Sequence, residues 1–341
     1  MKVAVFEIEP REAPAFARLK TSNEIVLEEV PLRPANADNF ADAEVISTFL
    51  YSELDRRVLE RLRAVKMIAT RSTGYDHVDL DYCGERGIIV SNVPAYGENT
   101  VAEHVFALLL TISHRMREAI ERARSGPFSP LGLQGFDLAG KTLGVVGTGS
   151  IGRNVIRIAK GFEMAVIACD VNPDETLTRT LGFRYASLED VLSAADILTL
   201  HVPATPSTHH LVGDREFARM KEGIVLINTA RGGLVDPRAL IEALRRGKVA
   251  AAGLDVLPDE PMIREEAELI CSIFCKQPDL RNVVADHVLL RMANVVVTPH
   301  SAFNTKEAVG RIVSTTVDNI AAYIAGCPQN VVGRDVARHE R

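Results

Sequence analysis

Two hydrophobic rhythms alternate along the chain: short apolar runs rich in Val and Ile, and longer segments whose apolar positions recur at helical spacing. Strands alternating with helices are the pattern of parallel strands joined by crossovers, so the predicted class is α/β. In the first hundred residues the runs 3–8, 24–29, 43–47, 67–70 and 88–92 read as strands, with helical segments such as 52–63 between them. They predict one small open sheet.

A second unit begins near Asn99. Thr100-Val101-Ala102-Glu103 fits a capping box, in which the hydroxyl accepts a helical N–H and the glutamate reaches back to the threonine N–H, and predicts a helix to about Ala123. Its apolar residues Val105, Phe106, Leu108, Leu109, Leu110 and Ile112 wrap most of the circumference, which requires burial on more than one side. Packing within the domain and packing against a second subunit both satisfy that requirement, and a homodimer or higher homo-oligomer is expected. Residues 125–137 read as a loop. The runs 142–146, 165–169, 197–201, 224–228, 250–255 and 294–298 then supply six strands, enough for a doubly wound sheet. A last helix runs from Thr305 to about Ala325, where Gly326 and Pro328 stop it.

Composition narrows the class. A length of 341 residues predicts two domains. With 47% hydrophobic and 25% charged residues the chain is an ordinary folded protein. Lys plus Arg (39) against Asp plus Glu (45) gives a net charge of −6 without a basic block, which argues against nucleic acid and anionic membrane as partners. The longest apolar runs, near 105–112 and 143–146, fall short of the roughly 18 residues that span a bilayer. Glu7 and Glu9 interrupt any signal-like start, so the cytoplasm is the expected compartment. Cys83, Cys169, Cys271, Cys275 and Cys327 are odd in number and scattered, and read as buried thiols; no metal site is expected.

The sharpest local signal is Gly147-Thr148-Gly149-Ser150-Ile151-Gly152, placed directly after the 142–146 strand and opening a helical segment. Glycines there let the chain turn tightly, let a pyrophosphate approach the backbone and let helix pack on strand, with the phosphates on the helix N-terminus. Asp170 ends the next strand, where a carboxylate accepts the adenosine ribose hydroxyls and repels a 2′-phosphate. No Arg or Lys follows before Arg179, so NAD is predicted over NADP.

Three further segments follow strands on the carboxyl side: 227–233 with Arg231, 253–261 with Asp255 and Glu260, and 297–303 with His300. Together they hold what carbonyl reduction requires. A guanidinium grips a carboxylate with paired hydrogen bonds, an imidazole gives a proton to a developing alkoxide, and a carboxylate beside the imidazole keeps it protonated.

These motifs, with Asn228-Thr229-Ala230-Arg231-Gly232, Leu254-Asp255-Val256 leading to Glu260-Pro261, and Thr298-Pro299-His300, resemble the D-isomer-specific 2-hydroxyacid dehydrogenase family over essentially the whole chain. The resemblance implies a Rossmann NAD-binding domain, residues 100–299, inserted into a flavodoxin-like substrate (catalytic) domain formed by 1–99 plus 300–341. It implies Arg231 on the substrate carboxylate, His300 as acid/base, Glu260 paired with His300, and Asp255 on the nicotinamide carboxamide. Gly147, Gly149, Ser150, Ile151, Gly152, Asp170, Val202, Pro203, Thr229 and Ala230 fall on the cofactor side.

Arg71-Ser72-Thr73-Gly74-Tyr75-Asp76 and Asn92-Val93-Pro94-Ala95-Tyr96-Gly97 resemble the D-lactate dehydrogenase branch. This implies carboxylate-holding amides at Thr73 and Gly74, and a substrate pocket lined by Tyr96 and Phe303 that suits a short apolar substituent such as the methyl of pyruvate. Glyoxylate, hydroxypyruvate or a bulkier 2-keto acid are alternative substrates, and an NAD(H)-sensing transcriptional co-repressor is a rival from another class. Only 41 residues follow His300, which argues against a regulatory domain. The segment 261–290 is a long insertion before the last strand, and His201, His209 and His210 read as solvated.

Overall fold

The apolar runs of the first hundred residues become short strands: β1 (Lys2–Val5), β2 (Glu24–Leu27), β3 (Val45–Thr48), β4 (Met67–Thr70) and β5 (Ile89–Ser91). Between them the computed structural model, which describes residues 1–20, 22–126, 128–258 and 280–333, places α1 (Arg56–Leu59) and α2 (Leu80–Arg86). The helical segment predicted over 52–63 is thus a single turn, capped by the Asp55 carboxylate accepting from the Val58 N–H. Next come α3 (Glu98–Ser113), α4 (Met116–Ser125), β6 (Thr142–Val146), α5 (Ser150–Gly161), β7 (Ala165–Cys169), α6 (Glu175–Leu181), β8 (Arg184–Tyr185), α7 (Leu188–Ala194) and β9 (Ile197–Leu200). They are followed by α8 (Asp214–Arg219), β10 (Ile224–Asn228), α9 (Pro237–Arg245), β11 (Val249–Leu254), α10 (Leu280–Arg291), β12 (Val295–Val297), α11 (Lys306–Ile324) and β13 (Val331–Val332).

The chain divides into two units, Met1–Tyr96 with the stretch from Asn304 on, and Gly97–Phe303. The first holds a six-stranded sheet in the order β13-β5-β4-β3-β1-β2, parallel except for β13, which runs antiparallel along β5. The order 2-1-3-4-5 of its parallel strands is the flavodoxin-like winding. Val3 and Val5 pack on one side of the sheet with Val313, Val317 and Ile320 of α11, while Ala4 and Phe6 pack on the other with Leu54, Leu59 and Leu62. Burial on both sides explains why these runs are apolar throughout rather than alternating.

The second unit carries a seven-stranded parallel sheet in the order β12-β11-β10-β9-β6-β7-β8. Winding starts at β6, proceeds outward to β8, then crosses back to β9 and proceeds to β12. This is the Rossmann arrangement, with its switch point between β6 and β9. Its strands are also buried on both sides: Leu143 and Val145 face one cluster and Val146 the other.

Four further expectations need correction. The helix predicted to run unbroken to about Ala123 is two helices, because Arg115 takes a left-handed backbone (φ +50°) between them. The capping box at Thr100 does not form: the helix starts at Gly97, so Thr100 already lies inside it, and Glu103 accepts from the Asn99 amide instead. Two short edge strands, β8 and β13, add to the predicted sets. The cysteines are not uniformly buried thiols, since Cys327 is exposed; burial pushes the Cys83 thiol up to about 12 and that of Cys169 to about 11. Cys271 and Cys275 lie outside the described residues. Among the described residues no helix is long and apolar enough to cross a membrane.

Candidate active site

The turn after β6 is built around missing side chains. Gly147 has φ +94°, and a Cβ there would stand 2.6 Å from the His201 carbonyl oxygen at the end of β9. A Cβ on Gly152 would stand 2.1 Å from the Gly147 oxygen, so only glycine lets α5 start this close to the strand. Gly149 differs: a Cβ would meet nothing within 4 Å. No protein atom demands a glycine there, and the open space lies at the N-terminus of α5, whose cap makes no side-chain hydrogen bond. Such an N-terminus receives anions. Ser150 and Ile151 open the helix, and Val202 and Pro203 follow β9 at the switch point.

Asp170 stands one residue beyond β7 and is tied to the glycine turn. Its Oδ2 accepts from the Thr148 N–H at 2.6 Å and from the Thr148 hydroxyl at 2.9 Å, and its Oδ1 from the Asn172 N–H at 2.9 Å. Burial raises the carboxyl pKa, but these hydrogen bonds outweigh it and hold Asp170 below the usual carboxylate range. The Thr148 oxygen also lies 2.8 Å from the Tyr185 hydroxyl. Because the threonine proton goes to Asp170, the tyrosine is the donor in that pair. Thr148 and Tyr185 belong to the hydrogen-bonded surroundings of Asp170 in this candidate site, and sequence reasoning missed both. Thr148 was legible, being inside the glycine motif, whereas Tyr185 sits on a two-residue strand with no sequence signal.

Arg231, Asp255 and His300 follow β10, β11 and β12, three neighbouring strands, all at the carboxyl edge of the sheet. Arg231 is half-buried, its Nη1 donating to the Ala230 carbonyl at 2.8 Å and its own carbonyl accepting from the Asn228 amide at 2.9 Å. A Cβ on Gly232 would stand 2.2 Å from the Leu257 carbonyl carbon, so the Arg231 turn lies directly against the segment leaving β11. The Thr229 hydroxyl beside it is buried without a hydrogen-bond partner. Glu260 lies outside the described residues.

The Asp255 side chain is 1% exposed and heavily engaged. Its Oδ1 accepts from the Thr298 hydroxyl at 2.5 Å and the Ser301 N–H at 2.8 Å, and its Oδ2 from the Ala302 N–H at 2.9 Å. His104 of α3 places Nε2 3.0 Å from the Thr298 oxygen and 3.4 Å from Asp255 Oδ1. Burial raises the Asp255 pKa, but the hydrogen bonds from His104, Thr298, Ala302 and Ser301 outweigh it and hold the carboxylate anionic. His300 occupies the turn so held, with φ +49° and its N–H donating to the Asp255 carbonyl at 2.9 Å. Phe303 closes this unit, half-buried. His201, expected to be solvated, instead has its Nε2 2.9 Å from the Thr199 hydroxyl, and burial pushes its pKa down to about 3.

In the first unit, Thr73 and Gly74 follow β4 at the carboxyl edge of its sheet. The Thr73 hydroxyl donates to the Val93 carbonyl at 2.8 Å, the Asn92 amide donates to the Thr73 carbonyl at 2.8 Å, and the Ser72 hydroxyl donates to the Gly74 carbonyl at 2.5 Å. Tyr96 ends the first pass through this unit, half-buried, its carbonyl accepting from Arg311 Nε at 2.6 Å.

Comparison with known proteins agrees with this architecture. Residues 106–302 match the family described as D-isomer specific 2-hydroxyacid dehydrogenase, NAD binding domain. The chain is 36% identical over 341 residues to D-lactate dehydrogenase of Escherichia coli (strain K12), covering 97% of this chain and 100% of that protein. It is 34% identical over 313 residues to glyoxylate reductase of Korarchaeum cryptofilum, covering 90% and 88%. The solved structure of D-lactate dehydrogenase from Aquifex aeolicus, complexed with NAD and lactic acid, matches with TM-score 0.83 at 34% identity, covering 95% of this chain and 96% of that one. The chain belongs to the D-isomer specific 2-hydroxyacid dehydrogenase family. Its members' chemistry makes it an NAD-dependent oxidoreductase acting on the CH–OH group of D-2-hydroxy acids. The open space at Gly149, the uncapped helix, the anionic Asp170 and the unpartnered Thr229 hydroxyl all fit NAD.

Proposed function

We propose that the protein reduces a short 2-keto acid, pyruvate by preference, to the D-2-hydroxy acid with NADH, and so acts as a D-lactate dehydrogenase. The observation that carries this reading is the alignment of Arg231, Asp255 and His300 on three adjacent strand ends of a sheet whose switch point bears the glycine turn. The likeness to D-lactate dehydrogenases over nearly the whole chain supports the substrate.

NADH, when bound, supplies the hydride that reaches the keto carbon. Gly147, Gly149, Ser150, Ile151 and Gly152 would hold its phosphates, Asp170 its adenosine ribose, Val202 and Pro203 its adenine side, and Thr229 and Ala230 its nicotinamide side; the Asp255 carboxylate, expected on the carboxamide, is 1% exposed and taken up by Thr298, Ser301 and Ala302, and so holds the His300 turn instead. Arg231 grips the substrate carboxylate with paired N–H donors and polarises the neighbouring carbonyl. In the first unit, the backbone N–H groups at Thr73 and Gly74 are the further carboxylate donors of this reading. His300 gives its proton to the keto oxygen as negative charge develops, with Glu260 as the carboxylate paired with it in this reading. Acid catalysis of this kind contributes about a hundred- to ten-thousandfold. Tyr96 of the first unit is the residue that limits the substituent to a short apolar group, and Phe303 of the second unit is a further substrate-side aromatic. In this reading the first unit is the substrate domain and the second the nucleotide domain.

The enzyme works in the cytoplasm as a homodimer or higher homo-oligomer. Support for assembly comes from α4, which buries none of its residues and leaves Met116 and Ile120 about half exposed, and from Phe128 and Leu131 in the loop beyond it, 94% and 81% exposed.

A substrate panel of pyruvate, glyoxylate, hydroxypyruvate and 2-ketoisocaproate, followed by NADH absorbance, tests the proposal. The highest kcat/KM is expected for pyruvate. A higher value for any other member would reassign the substrate, and NADH binding without turnover of any would make the protein a nucleotide-sensing module.

A further inference from the structure

The buried Asp255 carboxylate is engaged from two directions, and the order of its donors says what it holds. Thr298 Oγ1 is 2.5 Å from Asp255 Oδ1, so the threonine proton points at the carboxylate. The same threonine oxygen must then accept from His104 Nε2 at 3.0 Å, which makes His104 the tautomer, or the protonated form, with its proton on Nε2. That proton also lies toward Asp255, 3.4 Å away. On its other side the carboxylate takes the N–H groups of Ser301 and Ala302, the two residues after His300, and the Asp255 carbonyl takes the N–H of His300 itself. His300 has a left-handed backbone, φ +49°, which a non-glycine residue keeps only when its surroundings enforce it.

We propose that His104 is a positioning residue for the reaction: through Thr298 and Asp255 it fixes the turn that aims the His300 imidazole. The imidazole of His104 comes from α3, where the chain enters the second unit, and the His300 turn lies just before the chain leaves it. The network therefore fastens the first helix of the unit to its last turn at the point where the proton donor sits. Removing the Nε2 donor frees the Thr298 hydroxyl to rotate and leaves Asp255 short of one of its compensating donors. The turn then samples other conformations, and a small misplacement of a reacting group is costly. This inference rests on His300 being the proton donor.

The test compares His104→Leu, which has no donor, with His104→Gln, whose amide can donate from a similar place, and includes His300→Gln as reference. In His104→Leu, kcat for pyruvate reduction is expected to fall about ten- to a hundredfold, while the Kd for NADH, read by quenching of protein or nucleotide fluorescence, changes by less than about threefold. His104→Gln should recover most of the lost kcat. A His104→Leu enzyme with kcat within about twofold of wild type overturns the proposal, as does a loss that His104→Gln does not recover and that moves NADH affinity and melting temperature equally. If His300→Gln itself keeps full turnover, the reading of His300 has failed; if it is inactive while His104→Leu is fully active, only the positioning role has failed.

Discussion

Asp170 and Thr148 are joined twice, the carboxylate accepting from both the backbone N–H and the hydroxyl of the threonine. A carboxylate has about four acceptor positions, and with the Asn172 N–H three are filled from within the chain. The Val171 N–H also favours the anion, so the carboxylate is kept charged from within the chain; in the proposed reading that charge is what attracts the ribose hydroxyls and repels a 2′-phosphate.

Asp170→Ala should therefore weaken NADH binding about ten- to a hundredfold, the range of one hydrogen bond to a charged group, and reduce discrimination against NADPH. Tyr185→Phe removes the donor behind Thr148 and should weaken NADH binding only severalfold. Titration of each variant with both nucleotides checks this, and unchanged selectivity in Asp170→Ala would remove Asp170 from the ribose site.

The glycine turn separates folding from binding. Gly152→Ala puts a methyl into the Gly147 carbonyl and should lower stability by about 1–3 kcal/mol, the usual cost of overpacking. Gly149→Ala puts it into open space and should leave the melting temperature unchanged while impairing NADH binding. Thermal denaturation paired with nucleotide titration distinguishes the two, and a Gly149→Ala protein that binds NADH normally would place the pyrophosphate elsewhere.

His201 gives the fold a pH dependence. Burial pushes its pKa from 6.5 down to about 3, so between those values the unfolded chain binds a proton that the folded chain does not. The contribution is fully present above pH 6.5 and is lost as pH falls toward 3, by at most about 1.4 kcal/mol per pH unit. The melting temperature of His201→Asn should accordingly fall less between about pH 6.5 and 4.5 than that of the wild type. Parallel curves would mean that this histidine is solvated.

The exposed apolar side chains beyond α4 make the assembly testable. Phe128→Ser with Leu131→Ser should shift sedimentation velocity toward a smaller species with little change in melting temperature. An unshifted oligomer would put the subunit interface elsewhere.

Much of the architecture was legible because parallel strands covered on both faces are uninterrupted apolar runs, as in β1 and β6, and because turn chemistry is written in residues such as Gly147 and Gly152. The misreadings have specific causes. Thr100 and Glu103 have capping-box spacing, but α3 starts three residues earlier, at Gly97, so Thr100 lies inside the helix and Glu103 turns to Asn99 instead. Arg115 has no composition that announces a left-handed residue. Strands β8 and β13 are two residues long and exist through pairing with distant partners. At the site, the residue types were visible, but the hydrogen bonds from His104 through Thr298 to Asp255 join positions nearly two hundred residues apart, and no local pattern carries that information.

The most direct test of the account is the chirality of the product. Incubated with pyruvate and NADH, the protein is predicted to form lactate in equal amount to the NADH oxidised, all of it the D-isomer by chiral chromatography. Formation of L-lactate, or oxidation of NADH without lactate, would contradict it.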